Sequence, residues 1–272
     1  MRFSIRILST GLILLLTGGM AQASPTVHLN ENFDNRPTAP LPSDNAPWHI
    51  SGSSTETTYT VITDPTDAEN QVLEVKRTGT IATISANTSP DISLSADTVV
   101  TVSFDLYQPD KVGDADNTGF ILIVDNIKAV NRGDAAYLSL SGSGSVGYKA
   151  YTGTTGTSTN TQQTADQDAW NHYKLVIRYD AQVGHFVYDL SVTPAGQSDP
   201  TINVQGINAS TNVIAGDDLR VVLSPQGTTS LTLLDNLTVT SDAVPEPSSA
   251  AAVGAVGLMV GAAGRGWRSS QD

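Results

Sequence analysis

Between residues 24 and 243 apolar and polar residues alternate one by one, and no segment shows the three-to-four repeat of an amphipathic helix. Val100, Val102, Phe104 and Leu106 alternate with Thr101, Ser103, Asp105 and Tyr107. A period of two places alternate side chains on opposite faces of a strand, one facing a core and one facing water. Tyr173, Leu175, Ile177 and Tyr179 alternate with Lys174, Val176 and Arg178. After a turn at residues 180–184, Phe186, Tyr188, Leu190 and Val192 repeat the pattern. So short a connection cannot join parallel strands, and the two runs are read as an antiparallel hairpin. Leu219, Val221 and Leu223 predict another strand, and residues 231–240 the last. Residues 119–125 are nearly all apolar, as a central strand requires. Residues 57–62, 71–77, 81–85, 136–140 and 145–151 are shorter candidates. About a dozen strands with turn-rich spacing predict an all-β, antiparallel two-sheet sandwich. Residues 152–167, almost entirely Thr, Ser, Gly, Asn and Gln, lack apolar periodicity and are read as an exposed loop.

Both ends differ from this core. Arg2 and Arg6 precede an apolar run, and Ala21-Gln22-Ala23 supplies the small residues that a signal peptidase reads. Residues 1–23 are therefore read as a secretory signal peptide. The chain has no cysteine, so an exported fold must be held by its core or by a metal. Residues 244–272 begin Val244-Pro245-Glu246-Pro247-Ser248, continue through uncharged residues 250–264 and end on Arg265 and Arg268. As a helix the uncharged segment would span about 22 Å, short of a bilayer core of roughly 30 Å, with Arg and Trp267 at its flank. In this order of parts the segment resembles the PEP-CTERM sorting signal of bacterial envelope proteins. The resemblance implies recognition of Pro245, Glu246 and Pro247 by an exosortase-type processing enzyme. It also implies transient membrane insertion and delivery to the cell envelope, cell surface or extracellular matrix. An ordinary C-terminal membrane anchor is the alternative.

The region 24–243 is long enough for one sandwich domain. It carries 25 acidic against 10 basic residues, a net charge of −15. Such a chain repels phosphate backbones, which argues against a nucleic-acid partner.

Trp170-Asn171-His172-Tyr173-Lys174-Leu175-Val176 and the closing Leu234-Asp235-Asn236-Leu237-Thr238-Val239 resemble the laminin-G-like or concanavalin-type jelly roll, an architecture shared by carbohydrate-binding modules. The resemblance implies a jelly-roll fold and, more weakly, saccharide binding. The aromatic residues suited to stacking on sugar rings are Tyr107, Tyr148, Tyr151 and Trp170. Trp48, among prolines, is read as closing one end of the sandwich. Glu31 follows Val27 and Leu29 at alternate positions, and Asp235 lies among Leu231, Leu233, Leu237 and Val239. A carboxylate on a buried face needs a partner, and a hard cation is one; a β-bulge turning the acid outward is another solution. Carbohydrate-binding jelly rolls often hold calcium where the first and last strands meet. The resemblance therefore implies calcium at Glu31 and Asp235, with oxygens from Asp34 and Asn236. Residues 114–125 partly fit a calcium loop but read as an acidic turn, and Arg132-Gly133-Asp134 reads as an ordinary turn.

Catalytic signatures are sparse. No Glu-x-Asp-x-x-Glu run supplies the paired carboxylates of a glycoside hydrolase. Tyr148-Lys149-Ala150-Tyr151 resembles the Tyr-Lys-rich strand of alginate-lyase-like jelly rolls, but their Gln-x-His strand is missing. His49, His172 and His185 are far apart in sequence. The expectation is a non-enzymatic surface or matrix protein that binds exopolysaccharide. A purely structural matrix protein, and more distantly a polysaccharide lyase or glycoside hydrolase, are the alternatives.

Overall fold

The computed structural model describes residues 24–41, 44–45, 47–51, 56–79, 83–109, 119–126, 133–226 and 230–244. The segment read as a signal peptide, the segment read as a sorting signal with Pro245, Glu246 and Pro247, and residues 114–118 of the stretch read as an acidic turn lie outside them. The described residues contain strands and no helix. In chain order these are β1 (Thr26–Glu31), β2 (Asp44–Asn45), β3 (Trp48–Ser51), β4 (Thr57–Thr63), β5 (Gln71–Arg77) and β6 (Thr83–Ser93). The middle of the chain forms β7 (Thr98–Tyr107), β8 (Gly119–Asn126), β9 (Asp134–Leu140), β10 (Ser145–Thr152) and β11 (Thr155–Thr164). The series closes with β12 (Trp170–Asp180), β13 (His185–Pro194), β14 (Ile202–Asn208), β15 (Asp218–Gln226) and β16 (Ser230–Ala243).

The strands form two antiparallel sheets packed as a jelly-roll sandwich. The first runs β14-β13-β12-β7-β16-β5-β4, with β1 also on β16; the second runs β11-β10-β9-β8-β15-β6-β3-β2. The alternation read from sequence is what packs them. Val100, Val102, Phe104 and Leu106 of β7 meet Tyr173, Leu175 and Ile177 of β12 on the inner face, all at most 1% exposed. Phe104 and Tyr173 stack with centroids 5.3 Å apart. Each such side chain gains roughly 1.5–3 kcal/mol from leaving water.

Three expectations need correction. Residues 155–164 are an edge strand, not a loop. Thr152 pairs with Thr155 across a two-residue turn whose first residue, Gly153, has φ +64°. Glycine first in a two-residue hairpin turn suits a II′ geometry, and β-branched Thr supports the extended arms. Nearly all of β11 is exposed, so it lacks the apolar period that marks other strands. Secondly, Asp235 does not share a face with Leu237 and Val239. Asn236 adopts φ +50° in a bulge of β16, and the register against β7 shifts between Asp235 and Thr238. Asp235 is thereby turned to the outer face opposite Asp105, while Leu237 and Val239 enter the core. Thirdly, a bulge between Val27 and Leu29 leaves Val27 54% exposed.

Candidate functional site

The second sheet places an unusual set of side chains on its outer face. In β10 the inward residues are Val146, Tyr148 and Ala150, so Gly147, Lys149 and Tyr151 point outward. Ser139 of β9 lies opposite Gly147, and Tyr137 shares its face. Lys149 Nζ sits 4.2 Å from the centroid of the Tyr137 ring and 5.9 Å from that of Tyr151. A cation over a ring face is attracted by the ring quadrupole. Asp134, at the start of β9, completes the group. It accepts a hydrogen bond from the Tyr151 hydroxyl and another from Lys149 Nζ at 3.4 Å.

Lys149 and Tyr151 lie low on the sheet because Gly156 of the neighbouring β11 stands beneath them. A Cβ on Gly156 would stand 2.8 Å from the Tyr151 ring, and one on Gly147 2.6 Å from Ser139 Oγ. Tyr137 and Tyr151 are each 8% exposed although they face away from the core. Burial, then the hydrogen bond and charge of Asp134, push the Tyr151 phenol far above its ordinary range. Burial and Asp134 raise Tyr137 as well. Both remain protonated donors at neutral pH. Across the same face Ile121, Ile123 and Val222 form a half-buried apolar strip. It is bounded by Arg220, whose Nε and Nη2 donate to the two oxygens of Asp125 at 2.6 and 2.9 Å. Asp125 is thus an ion-pair partner within β8. Asp134, the last residue of Arg-Gly-Asp, is likewise committed within the sheet.

The core supports this face from below. Tyr188 of β13, fully buried, reaches across the sandwich to the point where the ladder between β9 and β10 ends. Its hydroxyl lies 2.9 Å from Lys149 O and 3.1 Å from Tyr137 O, and accepts from Lys149 N at 3.2 Å. One phenol therefore occupies the gap where the two strands part.

The four aromatic candidates do not converge. Tyr151 belongs to the face just described, and Tyr148 turns the opposite way to pack against the core. Tyr107 and Trp170 lie on the outer face of the first sheet, paired across β7 and β12 with ring centroids 5.7 Å apart. The Tyr107 hydroxyl donates to Asp168 Oδ1 at 3.4 Å, and Trp170 Nε1 to Thr66 Oγ1 at 3.2 Å. Trp48 is buried against Phe33 and is no platform. His172 pairs with Asp105 at 2.7 Å, His49 is exposed on β3, and His185 Nδ1 lies 3.1 Å from Val183 O.

The proposed calcium ligands are used otherwise. The first and last strands do pair, but Glu31 accepts from Arg36 Nε at 2.8 Å, Trp48 Nε1 at 3.2 Å and Phe33 N at 3.1 Å. Asp235 accepts from Asn70 Nδ2 at 3.0 Å and Asn236 N at 2.7 Å. Asp34 accepts from Asn32 and from Gln71 N, while Asn236 Nδ2 donates to Asp105 at 2.8 Å. Among the described residues no three Asp, Glu or His side chains converge to hold a metal. Donors already surround these carboxylates, and the set does not fit a calcium cage.

Tyr137 and Arg220 were not singled out from the sequence, and Asp134 was read there only as part of an ordinary turn. Tyr137 sits behind a bulge at Ala135, which interrupts the alternation that would have marked it as outward-facing. The signal that did exist was Lys149 between two tyrosines on one strand.

No family model and no curated protein matches the sequence. Solved structures match the fold. The globular domain of T. cruzi calreticulin superposes with a TM-score of 0.54 at 11% identity, covering 79% of this chain and 88% of that one. A marine PL-14 alginate lyase from Aplysia kurodai superposes with a TM-score of 0.53 at 12% identity, covering 79% and 98%. At such identities the likeness establishes the jelly-roll sandwich and nothing finer.

Proposed function

We propose that this chain is an exported, non-enzymatic polysaccharide-binding protein of the cell envelope or matrix, and that the outer face of the second sheet is its binding surface. The observation that carries the reading is Lys149, held between the rings of Tyr137 and Tyr151 on a sheltered, outward-facing surface. Stable folding alone does not call for a lysine sandwiched between two sheltered tyrosines. Rings and an ammonium together suit the apolar faces and oxygen-rich edges of sugars. The neighbouring folds include one acting on a polysaccharide, which supports a saccharide class without choosing the sugar. Export rests on residues 1–23. Sorting rests on Pro245, Glu246 and Pro247, with an exosortase-type enzyme and, before cleavage, the membrane as partners.

A second reading, a polysaccharide lyase, has one observation in its favour: the Tyr151 hydroxyl bonded to Asp134 beside Lys149. Proton abstraction would need a phenolate. Burial and Asp134 both disfavour that form, so the geometry supports binding over elimination.

Affinity electrophoresis through gels containing acidic and neutral polysaccharides tests both readings. The wild type should be retarded in at least one gel, and Lys149→Ala or Tyr151→Ala should restore free mobility. Retardation unaffected by either change would remove the site from this face. Release of new chain ends from the retarding polysaccharide, lost in Tyr151→Phe, would replace the binding module with an enzyme.

A further inference from the structure

The outer face of the opposite sheet carries a groove that the reading above does not use. It has a volume of about 440 Å³ and lies where the start of β12 meets the end of β13 and the turn after it. Trp170 and Pro194 contribute its apolar surface, and Asp105, His172, Gln197 and Ser198 its polar groups. Tyr107 extends the Trp170 surface from the neighbouring strand. The other outward residues of β7 and β12 include Thr101, Ser103, Lys174 and Arg178, none of them aromatic apart from His172. The flat aromatic shelf on these strands therefore stands at this groove.

The polar groups are fixed in place. Asp105 Oδ1 is held by His172 Nδ1 at 2.7 Å and Oδ2 by Asn236 Nδ2 at 2.8 Å. Each oxygen keeps lone-pair capacity for a further donor. Trp170 and Tyr107 are tethered at their polar tips by Thr66 and Asp168, which leaves the ring faces as contact surface. Gly196, at φ +76°, has nothing within 4 Å of the place where its Cβ would stand, so the turn leaves the groove mouth open. An aromatic shelf beside a pinned carboxylate that accepts from hydroxyl pairs is the chemistry of a neutral pyranose site. Asp105, Asp168 and Asp235 lie close by and disfavour a uronate.

We propose that this groove is a second, independent saccharide site, selective for neutral sugars. Placed on the opposite sheet, it lets one molecule bridge two polysaccharide strands. The site stands on its own geometry; the bridging rests on the reading of the Lys149 face as a binding surface.

The test is a calorimetric titration of the full-length chain with cellohexaose, laminarihexaose and mannohexaose, a readout that does not depend on Trp170 itself. At least one hexasaccharide should saturate the signal. Trp170→Ala and His172→Ala should each weaken it at least tenfold with unchanged melting temperature, and Lys149→Ala should leave it intact. Because His172 is half exposed, its replacement keeps the test valid if Trp170→Ala fails to fold. The proposal is overturned if none of the three sugars binds, or if binding survives both changes. Failure of the Lys149 face would show separately, as retardation in polysaccharide gels that Lys149→Ala does not alter. Bridging predicts that wild-type protein precipitates a mixture of the two ligand polysaccharides, and that Trp170→Ala or Lys149→Ala alone abolishes precipitation.

Discussion

Phe33 holds a left-handed backbone at φ +62° while its side chain is completely buried against Trp48. For an L-residue that conformation costs about 1–2 kcal/mol, offset here by burial of the ring and by the bond from its N–H to Glu31. Cutting the ring away should cost about 3–5 kcal/mol. Glycine would relieve the backbone, so Phe33→Gly should be no less stable than Phe33→Ala in urea unfolding, the reverse of the order in an ordinary strand. Asn126, fully buried, accepts from Gly133 N at 3.0 Å and donates to Asn212 O at 3.1 Å and Asp217 Oδ2 at 3.0 Å. Asn126→Ala strands these groups and should lower stability by about 1–3 kcal/mol in the same experiment. Asp235 titrates in the unusual direction. Burial first, then Asp105 and Asp34, outweigh its two hydrogen bonds and raise its pKa above the ordinary 3.8. The folded state therefore binds the proton more readily, and stability falls as pH rises from the ordinary value through the folded one. Above that window the ionised carboxylate is a standing cost. The gain in melting temperature on acidifying from neutral pH into the window should shrink in Asp235→Asn.

At the scale of elements, the join between β9 and β10 depends on a residue from the opposite sheet. Tyr188→Phe removes the hydroxyl that serves Lys149 and Tyr137 backbone groups, and should cost about 1–3 kcal/mol. It should also weaken polysaccharide retardation, because Lys149 loses its backbone anchor; stability lost with retardation unchanged would separate the core from the face. Strands such as β7, β12 and β13 were legible in the sequence because each has one dry and one wet face, so alternation reports them directly. β11 was not, since an edge strand wet on both faces has nothing to alternate. The turn of Asp235 to the outside was not either, because a single left-handed residue, Asn236, reverses face parity without changing composition. The candidate site was half legible: Lys149 and Tyr151 stood out within β10. Their partners Tyr137 and Asp134 come from the next strand behind a bulge, and Tyr107 and Trp170 were grouped with them although topology sends them to the other sheet.

For the molecule as a whole, stability comes from one apolar layer between two sheets, without disulfides. A tight metal site would add about 2.7 kcal/mol at a hundredfold excess of ligand over its dissociation constant. The carboxylates at the β1–β16 junction already receive protein donors, so the melting temperature should be the same in millimolar calcium and in excess EDTA. A rise of several degrees in calcium, lost in Glu31→Gln, would overturn that assignment. The junction has another consequence. Strand β16 runs between β7 on one side and both β5 and β1 on the other, and the described fold ends just beyond it at Val244, whose N–H bonds to Asp97 O at 2.8 Å. A chain tethered through its C-terminal end and held elsewhere by a ligand would be pulled along the axis of β16. Its cross-strand hydrogen bonds lie perpendicular to that axis, so they would be sheared together rather than peeled one after another. Under such a tether β16 would be the strand nearest the load, and neighbours on both of its sides would share it.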